Sequence, residues 1–167
     1  MAEARLMRLH GIDRLVLGLV LLALALFAAR RLEAPPDPPL TRLDPQRVQE
    51  IRVLQDGHLR LALLRDAGGW MLTHPRIRRA RPARVASLLA LLRAPSRARW
   101  PADPALRRQA GLDRPGRELR FDGLSLRFGR ESTPPGRRYL EAEGRIHLVD
   151  AFWYDLAGLP ASHFEAP

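Results

Sequence analysis

The chain has 167 residues, no cysteine and a formal net charge of +10. The missing thiols exclude thiolate chemistry and Cys-ligated zinc or iron–sulfur centres. All 28 basic side chains are arginine, with no Lys and no Asn, a bias that reads as the codon usage of a GC-rich genome; attraction to anionic lipid, nucleic acid or an acidic partner is the functional alternative.

A basic tail, residues 1–14, precedes the run LVLGLVLLALALFAA from Leu15 to Ala29, which is apolar throughout and closes on Arg30 and Arg31. Fifteen helical residues cover roughly 22 Å against a hydrocarbon core of about 30 Å. Leu32 extends the run, and the flanking arginines can snorkel to the headgroups. Three readings compete: an uncleaved anchor over 15–32, a secretory signal peptide and a buried core helix. A cleavage site is hard to place before the arginine pair, and a core helix would need a polar face. The anchor is the expectation. Arginines flank the run almost evenly, so the positive-inside rule does not orient it. A short N-terminal tail of this kind commonly stays cytoplasmic, which exports the C-terminal part.

Residues 33–43 follow as a proline-rich stalk, with four prolines in EAPPDPPL. One domain of α+β class is expected over 44–165, enough chain for its own core. Glu50–Leu54 reads as a strand, and Asp56-Gly57 turns it into Leu59–Leu64, with Leu59, Leu61 and Leu63 inward. Gly68-Gly69 turns the chain again into Trp70–Thr73. Pro82–Leu92 reads as a helix with Val85, Leu88, Leu89 and Leu92 on one stripe. A second short helix has Asp103 as N-cap, Pro104 at its first position and Gly111 as its stop. Glu118–Phe121 and Leu124–Phe128 pair across Asp122-Gly123; Arg138–Glu141 and Arg145–Val149 pair around Gly144. Asp150 caps a last helix that Gly158 ends. The expected architecture is an N-terminal transmembrane helix, then antiparallel β-meanders with short helices packed on one face.

The order of GGWMLTHP (Gly68–Pro75), the helix Val85–Leu92, AGLDRP (Ala110–Pro115), LRFG (Leu126–Gly129), RRYL (Arg137–Leu140) and IHLVD (Ile146–Asp150) resembles the domain-of-unknown-function 4340 family. The resemblance covers about 44–165. It implies a membrane-anchored bacterial envelope protein, in some cases encoded beside an ABC transporter linked to gliding motility. Family members often carry two or more copies of the unit, where this chain has one. They usually have an acidic residue before the long helix, where this chain has Arg79-Ala80-Arg81-Pro82. The family has no established catalytic residues to carry over. Trp70, Gly111, Pro115 and Gly129 read as scaffold: a buried ring, a helix stop, a break before a strand, and a strand end where a left-handed turn is easy.

The residues that could carry chemistry are scattered. The five histidines, His10, His58, His74, His147 and His163, show no metal spacing. His58 follows a hairpin turn and His147 alternates with Ile146 and Leu148, so both are expected on the surface. His147 near Asp150 could form an acid–base pair, with no nucleophile motif beside it. Ser125 sits in an ordinary strand, and neither a P-loop nor a dinucleotide fingerprint is present. No enzyme activity, cofactor, metal or small-molecule substrate is expected. The basic cluster Arg76, Arg78, Arg79, Arg81 and Arg84 is the candidate docking face for an acidic partner or lipid headgroups, against the plainer reading of a solvated face. Nucleic acid is not expected. The chain reads as an accessory or scaffold subunit of a membrane complex, transporter-associated if the resemblance holds. It would sit in the bacterial inner membrane with a periplasmic C-terminal domain, contacting lipid through its anchor and a membrane-protein partner through its domain.

Overall fold

The computed structural model describes residues 16, 18–23 and 39–167, and the chain divides into two compact units, Met1–Pro36 and Asp37–Pro167. In the first unit the described positions 16 and 18–23 are helical and exposed. Among the described residues no helix is long and apolar enough to cross a membrane. The basic tail, most of the expected anchor and the start of the stalk lie outside the described residues.

The second unit is α+β, built on one continuous antiparallel sheet. Its strands are β1 (Glu50–Gln55), β2 (His58–Asp66), β3 (Gly69–His74), β4 (Arg78–Arg79), β5 (Ala98–Pro101), β6 (Arg117–Phe121), β7 (Leu124–Glu131), β8 (Arg137–Ala142) and β9 (Arg145–Asp150). They lie in the order β4-β3-β2-β1-β6-β7-β8-β9-β5. The two expected meanders are therefore halves of a single sheet. They join where β1 pairs with β6, with Val53 opposite Leu119. Three hairpins close on two-residue turns whose first residues, Asp56, Asp122 and Glu143, have φ of 49°, 52° and 48°. A glycine follows each at positive φ, the conformation that matches the twist of a tight hairpin. Asp122 adds a second constraint: its carboxylate accepts from the Gln49 and Glu50 amides at 3.0 and 2.7 Å, tying the second hairpin to the start of β1.

The helices are α1 (Pro82–Ala90), α2 (Pro104–Gln109) and α3 (Phe152–Ala157). Pro82 opens α1 at a position that needs no amide hydrogen. The helix tightens into a 3-10 turn over Leu91–Arg93, and Val85, Leu88, Leu91 and Leu92 are fully buried. Asp103 caps α2 by accepting from the Leu106 amide at 2.9 Å, and Gly111, at φ 69°, ends it. Asp150 accepts from the Phe152 amide at 2.8 Å and so holds the first turn of α3.

The main core fills one face of the sheet. Ile51, Val53, Leu63, Leu119, Phe121, Phe128, Leu140 and Val149 meet α1, the 3-10 turn, Leu156 of α3 and Phe164 near the C-terminus. Each of these large side chains contributes about 1.5–3 kcal/mol by leaving water. The helices do not all share that face. Leu106 of α2, with Ala110 and Leu112 just after it, packs on Ile146 and Tyr139 from the other side. Alternation explains the split: Ile146 points opposite to His147 and Val149 on β9.

Elsewhere the second face is polar, with charge in alternating rows. Arg52 pairs with Glu50 at 2.7 Å and Arg120 with Glu118 at 2.9 Å. Arg52 and Arg120 stand opposite each other across β1 and β6, and these two carboxylates offset that like-charge contact. Arg127 lies between Glu118 and Glu141, and Arg107 of α2 reaches Glu141 at 3.3 Å. Burial pushes the Glu118 carboxyl up, yet hydrogen bonds from Arg120 and Ser125 outweigh it and hold the group below its ordinary value.

Besides the expected packing of the helices on one face, four further expectations need correction. Leu59 is 40% exposed, because β2 bulges at Arg60 and pairs Leu59 with Leu54 on the outward side. Gly129 is not a strand end: it lies inside β7, and glycine is needed because a Cβ there would sit 2.1 Å from the Ala110 carbonyl oxygen. The packed domain starts before residue 44, since Leu40 and Thr41 are buried and Thr41 donates its amide to the Leu92 carbonyl at 3.2 Å. His147, expected on the outer face, is 2% exposed.

Candidate functional site

Two arginine-rich regions stand out, at opposite ends of the sheet. At the β4 end lies the cluster singled out by the sequence. Arg76 sits in the loop after β3, Arg78 and Arg79 form β4, Arg81 precedes α1, and Arg84 lies in its first turn. Much of this cluster serves the chain itself. Arg79 grips Asp66 with hydrogen bonds of 2.9 and 3.1 Å, which holds that carboxyl below its ordinary value. Arg81 donates to the Glu165 carbonyl at 2.6 Å, and its amide donates to the Phe164 carbonyl at 2.8 Å. Arg76 lies 3.8 Å from the Glu165 carboxylate. The cluster thus seats the C-terminal segment, whose Phe164 plugs the core. Arg78 and Arg84 are exposed, and their side chains make no hydrogen bond or ion pair among the described residues. His163 stays below its ordinary pKa through burial, and then through the charges of Arg84 and Arg81.

At the β5 end a pocket of about 600 Å³ opens, lined by residues 39–42, Arg99, Ala142, Glu143, Arg145 and His147. Its charged and titratable side chains arrive on four segments. Arg42 comes from the chain entering the domain, Arg99 from the edge strand β5, Glu143 from the β8–β9 turn, and Arg145 and His147 from β9. His147 forms part of the wall and is buried. The Ser96 hydroxyl donates to the Ala98 carbonyl at 2.8 Å, and its oxygen lies 3.1 Å from Nδ1 of His147, placed to accept from that nitrogen. Burial, and then the charges of Arg99 and Arg145, push the His147 pKa down to about 4. The ring is therefore neutral at physiological pH. Arg42 anchors the turn through its backbone, its amide donating to the Glu143 carboxylate at 3.0 Å.

The sequence missed this pocket because residues 42, 99, 145 and 147 are scattered along the chain. The available signal was the run Ile146–Val149. On a strand covered on both faces, alternation no longer marks one face as solvent. His147 and Asp150 do not form the pair considered from sequence: Asp150 is engaged by the Phe152 amide and His147 by Ser96. Among the described residues no group of three or more His, Asp or Glu is placed to hold a metal ion. His58 is exposed, its Nδ1 3.0 Å from the Asp56 carbonyl oxygen.

No family model, no curated protein and no solved structure matches the chain. The resemblance to the domain-of-unknown-function 4340 family therefore rests on the motifs quoted from the sequence.

Proposed function

We propose that this protein is a non-enzymatic, single-pass envelope protein whose folded domain acts as an accessory or scaffold subunit of a larger membrane complex. The observation that carries the reading is the division of the chain. Its compact units part between Pro36 and Asp37, inside EAPPDPPL and a few residues beyond the apolar run Leu15–Ala29. An apolar segment, a proline-rich connector and a domain with its own packed core are the parts a tethered extracytoplasmic module needs. The family resemblance supports the same reading and is the source of its transporter association and its bacterial inner-membrane, periplasmic placement.

The test is affinity purification of the C-terminally tagged full chain from native membranes in mild detergent, with mass spectrometry of what co-purifies. A stoichiometric membrane-protein partner is the expected result. A protein that migrates alone at monomer size contradicts the accessory role.

A second reading has one observation in its favour. The side chains of Arg78 and Arg84 find no partner among the described residues, within a cluster whose other members are engaged, so they are the residues of that face open to an acidic partner or a lipid headgroup. Charge reversal at Arg78 and Arg84 is expected to abolish binding to anionic liposomes; unchanged binding rejects this reading.

A further inference from the structure

We propose that the pocket at the β5 edge of the sheet is a binding site for a phosphoryl-type oxyanion, held by Arg42, Arg99 and Arg145 above the buried His147. This site is separate from the Arg76–Arg84 cluster, and the inference stands independently of the membrane anchor.

Three guanidinium groups from three segments line one concavity, with Glu143 as the sole carboxylate among the described residues that line it. That carboxylate is already engaged by the Arg42 amide. Arg42 and Arg145 make no ion pair among the described residues, in a domain where Arg52, Arg79, Arg107, Arg120 and Arg127 all find carboxylates. Arg42 and Arg145 carry like charge on one concavity, and an anion between them removes their repulsion. Arginine suits the purpose because its planar fork donates two parallel hydrogen bonds to phosphate or carboxylate oxygens.

The pocket's size and lining narrow the ligand. About 600 Å³ lies within the range of small-molecule sites. It exceeds what a bare phosphate fills, so a phosphoryl group with an organic substituent fits. Charged side chains dominate the rim, which disfavours an apolar guest. His147 adds a response of its own. The positive field of Arg99 and Arg145 disfavours its protonation. An anion in the pocket reverses that field and raises the pKa of the ring, which can then be protonated as an additional donor. The phosphoryl group could belong to a soluble phosphomonoester or to a lipid headgroup, since the pocket wall includes residues 39–42, the chain's entry into the domain after the proline-rich connector.

The test follows the His147 ring by nuclear magnetic resonance in the isotopically labelled full chain. Inorganic phosphate and glycerol phosphate are titrated in zwitterionic micelles at constant ionic strength. In parallel, the chain is placed in phosphatidylcholine nanodiscs with and without phosphatidic acid. A saturable shift with the soluble phosphates assigns a free phosphomonoester. A shift confined to discs carrying phosphatidic acid assigns a headgroup. In either case Arg42→Gln and Arg145→Gln, both exposed positions, are expected to weaken binding about tenfold each. Arg60→Gln, at an exposed position on β2, is expected to leave it unchanged. The proposal is overturned if His147 does not respond to any of these ligands, or if the response survives both Arg42→Gln and Arg145→Gln.

Discussion

Arg117 stacks on Tyr154, its guanidinium carbon 4.0 Å from the ring centroid, and its Nη1 donates to the carbonyl oxygen of the same residue. Arg138 lies over the same ring at 3.8 Å. Two guanidiniums this close cannot share one face, so the ring is held between them. Phe128 completes the nest, its ring edge-on to Tyr154 at 5.7 Å. This is how α3 is fastened to β6, β7 and β8, since Tyr154 lies on the helix and the other three residues on those strands. Burial lowers the pKa of Arg117, and the ring face and nearby carboxylates offset that cost. Arg117→Met, which keeps the stem and removes the charge, is expected to cost about 2 kcal/mol in denaturant unfolding. Arg117→Lys is expected to recover only part of it, because a point charge cannot stack and bridge at once.

Glycine substitutions separate backbone clashes from side-chain clashes. A Cβ at residue 129 would meet the Ala110 carbonyl oxygen at 2.1 Å, and that oxygen accepts from the Arg130 amide at 2.8 Å. Neither backbone can move without breaking the seat of α2 on the sheet. Gly129→Ala is expected to destabilise the domain by about 3 kcal/mol or more, in the range of overpacked cores. Residue 68 offers the contrast. There a Cβ would meet only the tip of Arg79, at 2.8 Å, and that side chain can swing aside. Gly68→Ala is expected to cost less than about 1 kcal/mol. Equal losses in thermal unfolding contradict this assignment.

The buried histidine gives stability a specific pH dependence. Its pKa falls from 6.5 in the unfolded chain to about 4 in the native domain. Between those values the unfolded state takes up a proton that the native state refuses, so stability is full above pH 6.5 and declines as the pH drops toward 4. The loss is about 3 kcal/mol. His147→Gln, which keeps a polar ring-sized group beside Ser96, is expected to remove this slope while leaving the carboxylate-driven loss at lower pH. Identical pH profiles for the two proteins between pH 4 and 6.5 contradict it.

Local punctuation made most of the fold legible. Asp-Gly and Glu-Gly pairs mark turns because they tolerate positive φ, and all three of the hairpins they predict form. Asp103, Pro104 and Gly111 bound α2 as their chemistry requires. Distant pairings left no such mark. The strands β4 and β5 are two and four residues long and form only because β3 and β9 offer open edges. That Gly129 serves a close approach and not a turn depends on where Ala110 lies, which no local pattern encodes. The same holds for the pocket: the adjacent residues 76–84 drew attention by clustering in sequence, and residues 42, 99, 145 and 147 cluster only in space.

Membrane tethering is the central claim, and fractionation tests it most directly. Native membranes containing the full chain are washed with alkaline carbonate and high salt, which strip proteins held by charge alone. The full chain is expected to remain in the pellet, and a chain lacking residues 1–32 to appear folded in the soluble fraction. Release of the full chain into the wash contradicts the account.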